Sequence, residues 1–166
     1  TGIVTGTFSV LGMDDTGAGT AIASSTYTAD PNENVMDSLS GSITVGGSAV
    51  TCVTSIKLTL ENGIENLPVV GETTRVRGAA GRSIVTGELT TLYQDDTLLD
   101  AFEDETETAI VFTLTDGVAT YTFTLPKVKF TGGKPEVGGE REVMITMPFQ
   151  AIYSSSDATQ LKIERA

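Results

Sequence analysis

Histidine and tryptophan are absent from this chain, cysteine occurs once, and Lys and Arg number 10 against 22 Asp and Glu. Each shortage excludes something. Without histidine the commonest general base and the commonest metal ligand are gone, so Ser–His–Asp, Cys–His and histidine-built zinc sites are impossible. A single cysteine cannot make an intrachain disulfide framework. In the pattern Val50, Cys52, Thr54, Ile56, Leu58, Leu60 it falls on the more apolar side of an alternating strand, which predicts a buried structural thiol. No run of about 18 apolar residues occurs, so no membrane-spanning helix is expected. The formal net charge of −12 repels phosphate backbones and argues against a protein that grips nucleic acid. It does not bar nucleic acid from sliding past.

What is present suits a turn-rich globular domain. The chain has 166 residues, 39% of them hydrophobic, with 18 glycines. A single domain over 1–166 is expected, because a chain of this size buries roughly 68–70% of its unfolded surface. The first residue is Thr1 rather than Met, as expected of a processed chain or a piece of a longer one.

Period-two alternation dominates, the mark of half-buried strands. In "ATYTFTL" (119–125) Ala119, Tyr121, Phe123 and Leu125 point one way and Thr120, Thr122 and Thr124 the other. Across 143–153 Val143, Ile145, Met147, Phe149, Ala151 and Tyr153 form one face. The intervening "TGGKPEVGGE" is loop chemistry, so 119–153 reads as one long β-hairpin. Further strands are expected at 3–12, 20–28, 41–46, 49–61, 83–93, 108–115 and 158–165. Asp116-Gly117 is a tight turn between two of them. Segments 13–19, 29–38 and 62–82 read as loops, the last long enough to suggest a function.

Only "DDTLLDAFEDETE" (95–107) has helical spacing. Leu98, Leu99 and Phe102 share one stripe, and Asp96, Asp100, Glu103, Asp104 and Glu107 cluster opposite, with Asp95 as N-cap. A single convex helix face cannot converge the six to eight oxygens that Ca²⁺ needs. The acids are read as a solvated face, with contact to a basic partner as the alternative and a metal as the remote one.

Glycine motifs carry little. "TGAGTA" (16–21) lacks a third glycine at Ile22 and the strand-then-helix setting of a dinucleotide loop, and "RGAAGRS" (77–83) lacks the phosphate-binding lysine. No cofactor, metal site, catalytic constellation or small-molecule substrate is expected. The basic residues fall mainly in two blocks: Arg75, Arg77 and Arg82, then Lys127, Lys129, Lys134 and Arg141. They are read as ordinary surface charge, as contacts between subunits or, remotely and against the overall charge, as a nucleic-acid contact. In the second case Arg75, Arg77, Arg82, Lys134 and Arg141 meet the acidic face of another copy.

From about residue 40 the chain resembles the tail tube (major tail) proteins of long-tailed bacteriophages. The resemblance rests on "VTSIKLTLENGIENLPVVGE" (53–72), "GRSIVTGELTTLYQDDTLLDAF" (81–102), "YTFTLPKVKF" (121–130), "VMITMPFQAIY" (143–153) and "TQLKIERA" (159–166), in that order. Residues 1–40 match more weakly, although "GTFSVLGM" (6–13) resembles the segment that precedes this region in larger two-part members. A C-terminal part of a longer member is the expectation. The resemblance implies a mainly β protein: an antiparallel β-sandwich or barrel, related to the tubes of type VI secretion and contractile tails, with one flanking helix. It further implies homo-hexameric rings that stack into a virion tail tube, assembled in the host cytoplasm. Such a tube holds the tape-measure protein, meets tail-end proteins, and then passes double-stranded DNA without specific binding.

Physical chemistry accommodates that implication. Eight-stranded barrels fill with their own side chains, and sixteen to eighteen strands give only a small-solute channel, so a bore for duplex DNA needs several chains sharing one sheet. The row Thr120, Thr122, Thr124 is the expected lumen face. A negative bore would keep DNA from sticking, whereas Lys and Arg would hold it by counterion release. The competing reading is a β-sandwich adhesin or carbohydrate-binding module, which would normally carry an aromatic platform; here most Phe and Tyr fall on expected core faces. An acid-pair glycosidase is the third, but no two carboxylates can be placed across a cleft.

Overall fold

The computed structural model describes residues 3–10, 36, 41–66, 70, 78–79, 81–136 and 142–166. In chain order the elements are β1 (Ile43–Val45), β2 (Ser48–Ala49), β3 (Val53–Glu61), β4 (Glu65–Asn66), β5 (Gly78–Ala79), β6 (Ile84–Leu92), α1 (Thr97–Glu103), β7 (Thr108–Thr115), β8 (Thr120–Phe130), β9 (Lys134–Glu136), β10 (Met144–Ala151) and β11 (Lys162–Arg165). Alternating Val, Ile, Thr and aromatic residues suit a pleated surface with one buried face. These strands pair antiparallel throughout.

Nine strands make one sheet in the order β2-β1-β7-β8-β10-β6-β3, with β11 also pairing β8 and β9 pairing β10. The sheet does not close: β2 ends it on one side and β3 on the other. The expected mainly β fold with a flanking helix is therefore present, as an open sheet rather than a sealed barrel.

The core is the face that alternation singles out. Val85, Leu89, Ile110, Leu125, Val128, Ile145, Met147 and Phe149 are each at most 2% exposed and join one cluster. Each contributes about 1.5–3 kcal/mol relative to an exposed side chain. Leu98, Ala101 and Phe102 of α1 pack on it half-buried. Phe112 and Phe123, cross-strand partners, stack with centroids 4.7 Å apart.

The long hairpin expected over 119–153 exists in part. Residues 128–130 pair with Ala151–Phe149, and β9 continues that edge against Met144–Thr146. The first half of β8 pairs with β11 instead. Leu125 lies opposite Ile110 and Val128 opposite Thr108, so β8 carries one extra residue there. That bulge contains Pro126, which has no N–H for a ladder, and it moves the buried set from odd to even numbers. On the other edge Ile152 N–H reaches the Lys127 carbonyl at 2.8 Å before the chain leaves β8 and returns as β11. Tyr153, expected on the apolar face, is consequently 57% exposed.

The excursion between β10 and β11 is tied by a Ser154–Thr159 bridge and by Asp157, whose carboxylate accepts hydrogen bonds from Ser154 and Ser156. Those two donors, with Lys162 nearby, hold the Asp157 carboxyl below its usual range against an opposing effect of burial. A depressed carboxyl stabilises the loop above its unfolded pKa of about 3.9 and ceases to do so as pH falls through the folded value. Acidification should lower hydrogen-exchange protection at the Ser154 amide before the core amides respond, and Asp157→Asn should abolish that pH dependence. Uniform protection at low pH would refute it.

Three other expectations change. A bulge between Val53 and Ser55 reverses the alternation of β3, so Cys52 sits outside the core, exposed and with φ of 66°. Residues 3–10 contain no strand beyond an isolated bridge position, although a strand was expected there, and 20–28 lies outside the described residues. The long loop 62–82 contains the β4–β5 ladder; at its base Gly81 N–H donates to the Gly63 carbonyl at 3.0 Å. A Cβ on Gly81 would come within 2.3 Å of that oxygen, so glycine is required there.

Candidate functional site

A structural sheet acts through its faces and edges. The core face of this one is covered, which leaves the opposite face and the open ends. On β8 Thr120, Thr122 and Thr124 are half-exposed, with Thr115, Thr113 and Val111 of β7 as their cross-strand partners. Thr120 donates to the Thr115 hydroxyl at 3.2 Å, and the hydroxyls of Ser42 and Thr113 meet at 2.9 Å. Further along the same side Thr90 faces Thr146 and Ser55, and Thr86 faces Gln150 and Thr59. The sheet thus presents hydroxyls and amides across its width on the side away from the core.

Among the described residues each lysine on this side has a carboxylate beside it. Lys57 lies opposite Glu88, Lys127 bridges Glu107 at 2.5 Å, Lys129 bridges Glu105 at 3.4 Å, and Lys162 bridges Glu164 at 2.8 Å. The Lys127 ammonium, which hydrogen-bonds Glu107, holds that carboxyl below its usual range. These are exposed pairs, worth little to stability. Their effect is to leave the face locally near neutral.

The densest run of acids lies at the helix. Asp96, Asp100, Glu103 and Asp104 are exposed along α1. Asp95 accepts the Thr97 N–H at 3.0 Å, while Asp96, the N-cap residue, makes no cap bond and accepts the Tyr93 hydroxyl instead. That hydrogen bond, burial and the charges of Asp96, Asp100 and Asp95 push the Tyr93 hydroxyl above its ordinary pKa, which reports a negative local field. The helix is shorter than its acidic stretch. It stops at Glu103, and Glu105 turns left-handed with φ of 51°. Glu107, expected on the acidic helix face, instead leads into β7 and pairs with Lys127. The low helix propensity of Asp and Thr near this end explains the early stop.

Of the proposed contact residues, Arg82 is exposed at the base of the β4–β5 arm. Lys134 opens β9, its backbone paired with Thr146. Arg75, Arg77 and Arg141 lie outside the described residues. No cluster of three or more metal-binding side chains occurs among the described residues, and no described helix is long and apolar enough to cross a membrane.

The open edges were not readable from sequence. β3 is nine residues long and pairs only with β6 within the described sheet, so no described strand occupies its other edge. Lys57 at its middle is the kind of charge that discourages indiscriminate pairing.

This open sheet has counterparts among solved structures. The tube-terminating cap of the anti-feeding prophage superposes with a TM-score of 0.59 at 12% identity, covering 89% of this chain and all of that one. A chain from the sheath/tube terminator of the extracellular contractile injection system PVC gives 0.57 at 11%, covering 84% and 99%. One from the virion of a native gene transfer agent gives 0.52 at 10%, covering 70% and 88%. At such identities the likeness concerns the fold. No curated protein matches the chain. The sequence model of the phage tail tube protein family, however, matches residues 1–151. The chain therefore belongs to the phage tail tube protein family and is a structural virion protein, not an enzyme.

Proposed function

We propose that six copies join their open sheets into a ring, and that stacked rings form the wall of a tail tube through which double-stranded DNA is delivered. The observation that carries this reading is the pair of unsealed sheet ends at β2 and β3. Edges left open in one chain are satisfied by joining edge to edge with the next, which also suppresses promiscuous pairing. A bore wide enough for a duplex needs about two dozen strands, beyond any one copy of this sheet.

In this arrangement the core face and α1 point into the protomer, and the threonine face, including Thr120, Thr122 and Thr124, lines the lumen. Its paired lysines and carboxylates leave no basic track to hold DNA, while the formal charge of −12 per copy keeps the ring net negative. Hydroxyls hold a water layer along which the backbone slides. The tape-measure protein occupies the same bore before DNA, tail-end proteins cap the stack, and assembly takes place in the host cytoplasm.

The test is direct. Purified protein, concentrated and viewed by negative-stain microscopy, should form rings or tubes with an open centre, and should elute well above monomer size. A strictly monomeric species at all concentrations would favour an adhesion or binding module of similar composition.

A further inference from the structure

We infer that Asn62-Gly63, just past the end of β3, is a self-modification site, at which Asn62 converts to isoaspartate and unlatches the base of the β4–β5 arm. The site is independent of the tube reading. Of the four asparagines in the chain only Asn62 is followed by glycine; Asn32, Asn34 and Asn66 precede Glu33, Val35 and Leu67. A glycine has no Cβ to keep its nitrogen away from the preceding side chain, and asparagine is a thermolabile residue. The fold adds the geometry. Asn62 and Gly63 are exposed and outside any strand, directly after the last β3–β6 pair, Glu61 with Ile84. Among the described residues no hydrogen bond holds the Asn62 side-chain amide or the Gly63 N–H.

Water is the only co-reactant. The Gly63 nitrogen loses its proton and bonds to Cγ of Asn62, the Cγ–Nδ2 bond breaks, and ammonia leaves. Water then opens the cyclic imide. Cleavage at the main-chain carbonyl routes the backbone through Cβ and Cγ and leaves a carboxylate where an amide stood. The chain becomes one carbon longer at this point, and the surroundings have no slack for it. Gly63 is left-handed, with φ of 56°, and its carbonyl accepts the Gly81 N–H at 3.0 Å. The two segments approach so closely that a Cβ on Gly81 would stand 2.3 Å from that oxygen. On the other side Glu61 is fixed by its ladder to Ile84. A longer link between Glu61 and Gly63 therefore carries the Gly63 carbonyl off the Gly81 N–H, while the β3–β6 ladder stays.

Purified protein held for days in mildly alkaline buffer tests this. Cleavage after Lys57 and Arg75 yields one peptide, 58–75, that carries both Asn62 and Asn66, so the second asparagine is an internal control. Mass spectrometry should show amide turning to acid about tenfold or more faster at Asn62 than at Asn66, where Leu67 crowds the nitrogen. Isoaspartate, detected by isoaspartyl methyltransferase, should exceed aspartate. In the modified fraction the Gly81 amide should exchange hydrogen about tenfold or more faster, with core amides such as that of Leu89 unchanged. Asn62→Gln, whose longer side chain closes the ring poorly, should stay unmodified. Freshly made Asn62→Asp adds the charge without the carbon and should keep wild-type protection at Gly81. Conversion no faster at Asn62 than at Asn66, or conversion only after unfolding in urea, would overturn the site. Conversion that leaves Gly81 protection unchanged, or equal loss of protection in fresh Asn62→Asp, would overturn the unlatching.

Discussion

Gly87→Ala should lower the stability of the folded chain by about 3 kcal/mol, at the upper end of what overpacking a core usually costs. Gly87 is the cross-strand partner of Phe149 in the β6–β10 ladder, on the core face. A Cβ placed there would lie 2.3 Å from the tip of the Phe149 ring and 2.5 Å from the Lys57 carbonyl oxygen. The ring is only 2% exposed and is hemmed in by the core, so it cannot swing aside cheaply. The carbonyl belongs to β3, and moving it would disturb the ladder that ends the sheet. Urea denaturation should show the loss as a lower midpoint at unchanged slope. Adding Phe149→Leu should recover part of it by removing the ring clash and not the backbone one. A midpoint equal to wild type would show that β3 and β6 part easily, and would weaken the case for β3 as a firm joining edge.

Gly87 also marks how far the sequence could be read. A glycine inside "IVTGELTTL" signals close backbone approach, but only the pairing identifies Phe149 as what approaches. Local periodicity was enough for β7, given to the residue as 108–115, and for β6, β8 and β10 within a few positions. It failed wherever a bulge inserts a residue. The extra residue near Pro126 and the irregularity between Val53 and Ser55 each reverse which side is buried, and so misplaced Cys52. Bulges depend on the partner strand, so they leave little trace in one sequence. The same holds for the site. The threonine row was visible as alternation in 119–125, whereas the ion pairs that neutralise its surroundings join residues from 105 to 129 across a ladder. The helix was legible by its stripe, but its end was not, because the acids continue past the turn at Glu105.

The triple change Thr120→Lys, Thr122→Lys, Thr124→Lys should leave the tube standing and slow DNA passage by about tenfold or more through added phosphate contacts. The three positions are half-exposed on one side of β8, and the Thr120 hydroxyl donates to that of Thr115, an exposed-side contact whose loss costs the fold little. Each lysine adds a cation to a face whose described lysines each stand beside a carboxylate. In the proposed six-copy ring they would form a basic belt. Counterion release makes each phosphate contact favourable, and the gain shrinks as salt rises, so the delay should be strongest in dilute buffer and fade toward molar salt. Particles carrying the variant should show tails of normal length by microscopy, with DNA release slowed in a dye-exclusion assay. Replacing the same three residues by glutamine should leave release unchanged, because the amide adds bulk without charge. If the lysine variant releases DNA at the wild-type rate at every salt concentration, the threonine row does not face the bore. The covered and uncovered faces of the sheet would then have to be assigned the other way round, with α1 and its acids nearer the channel.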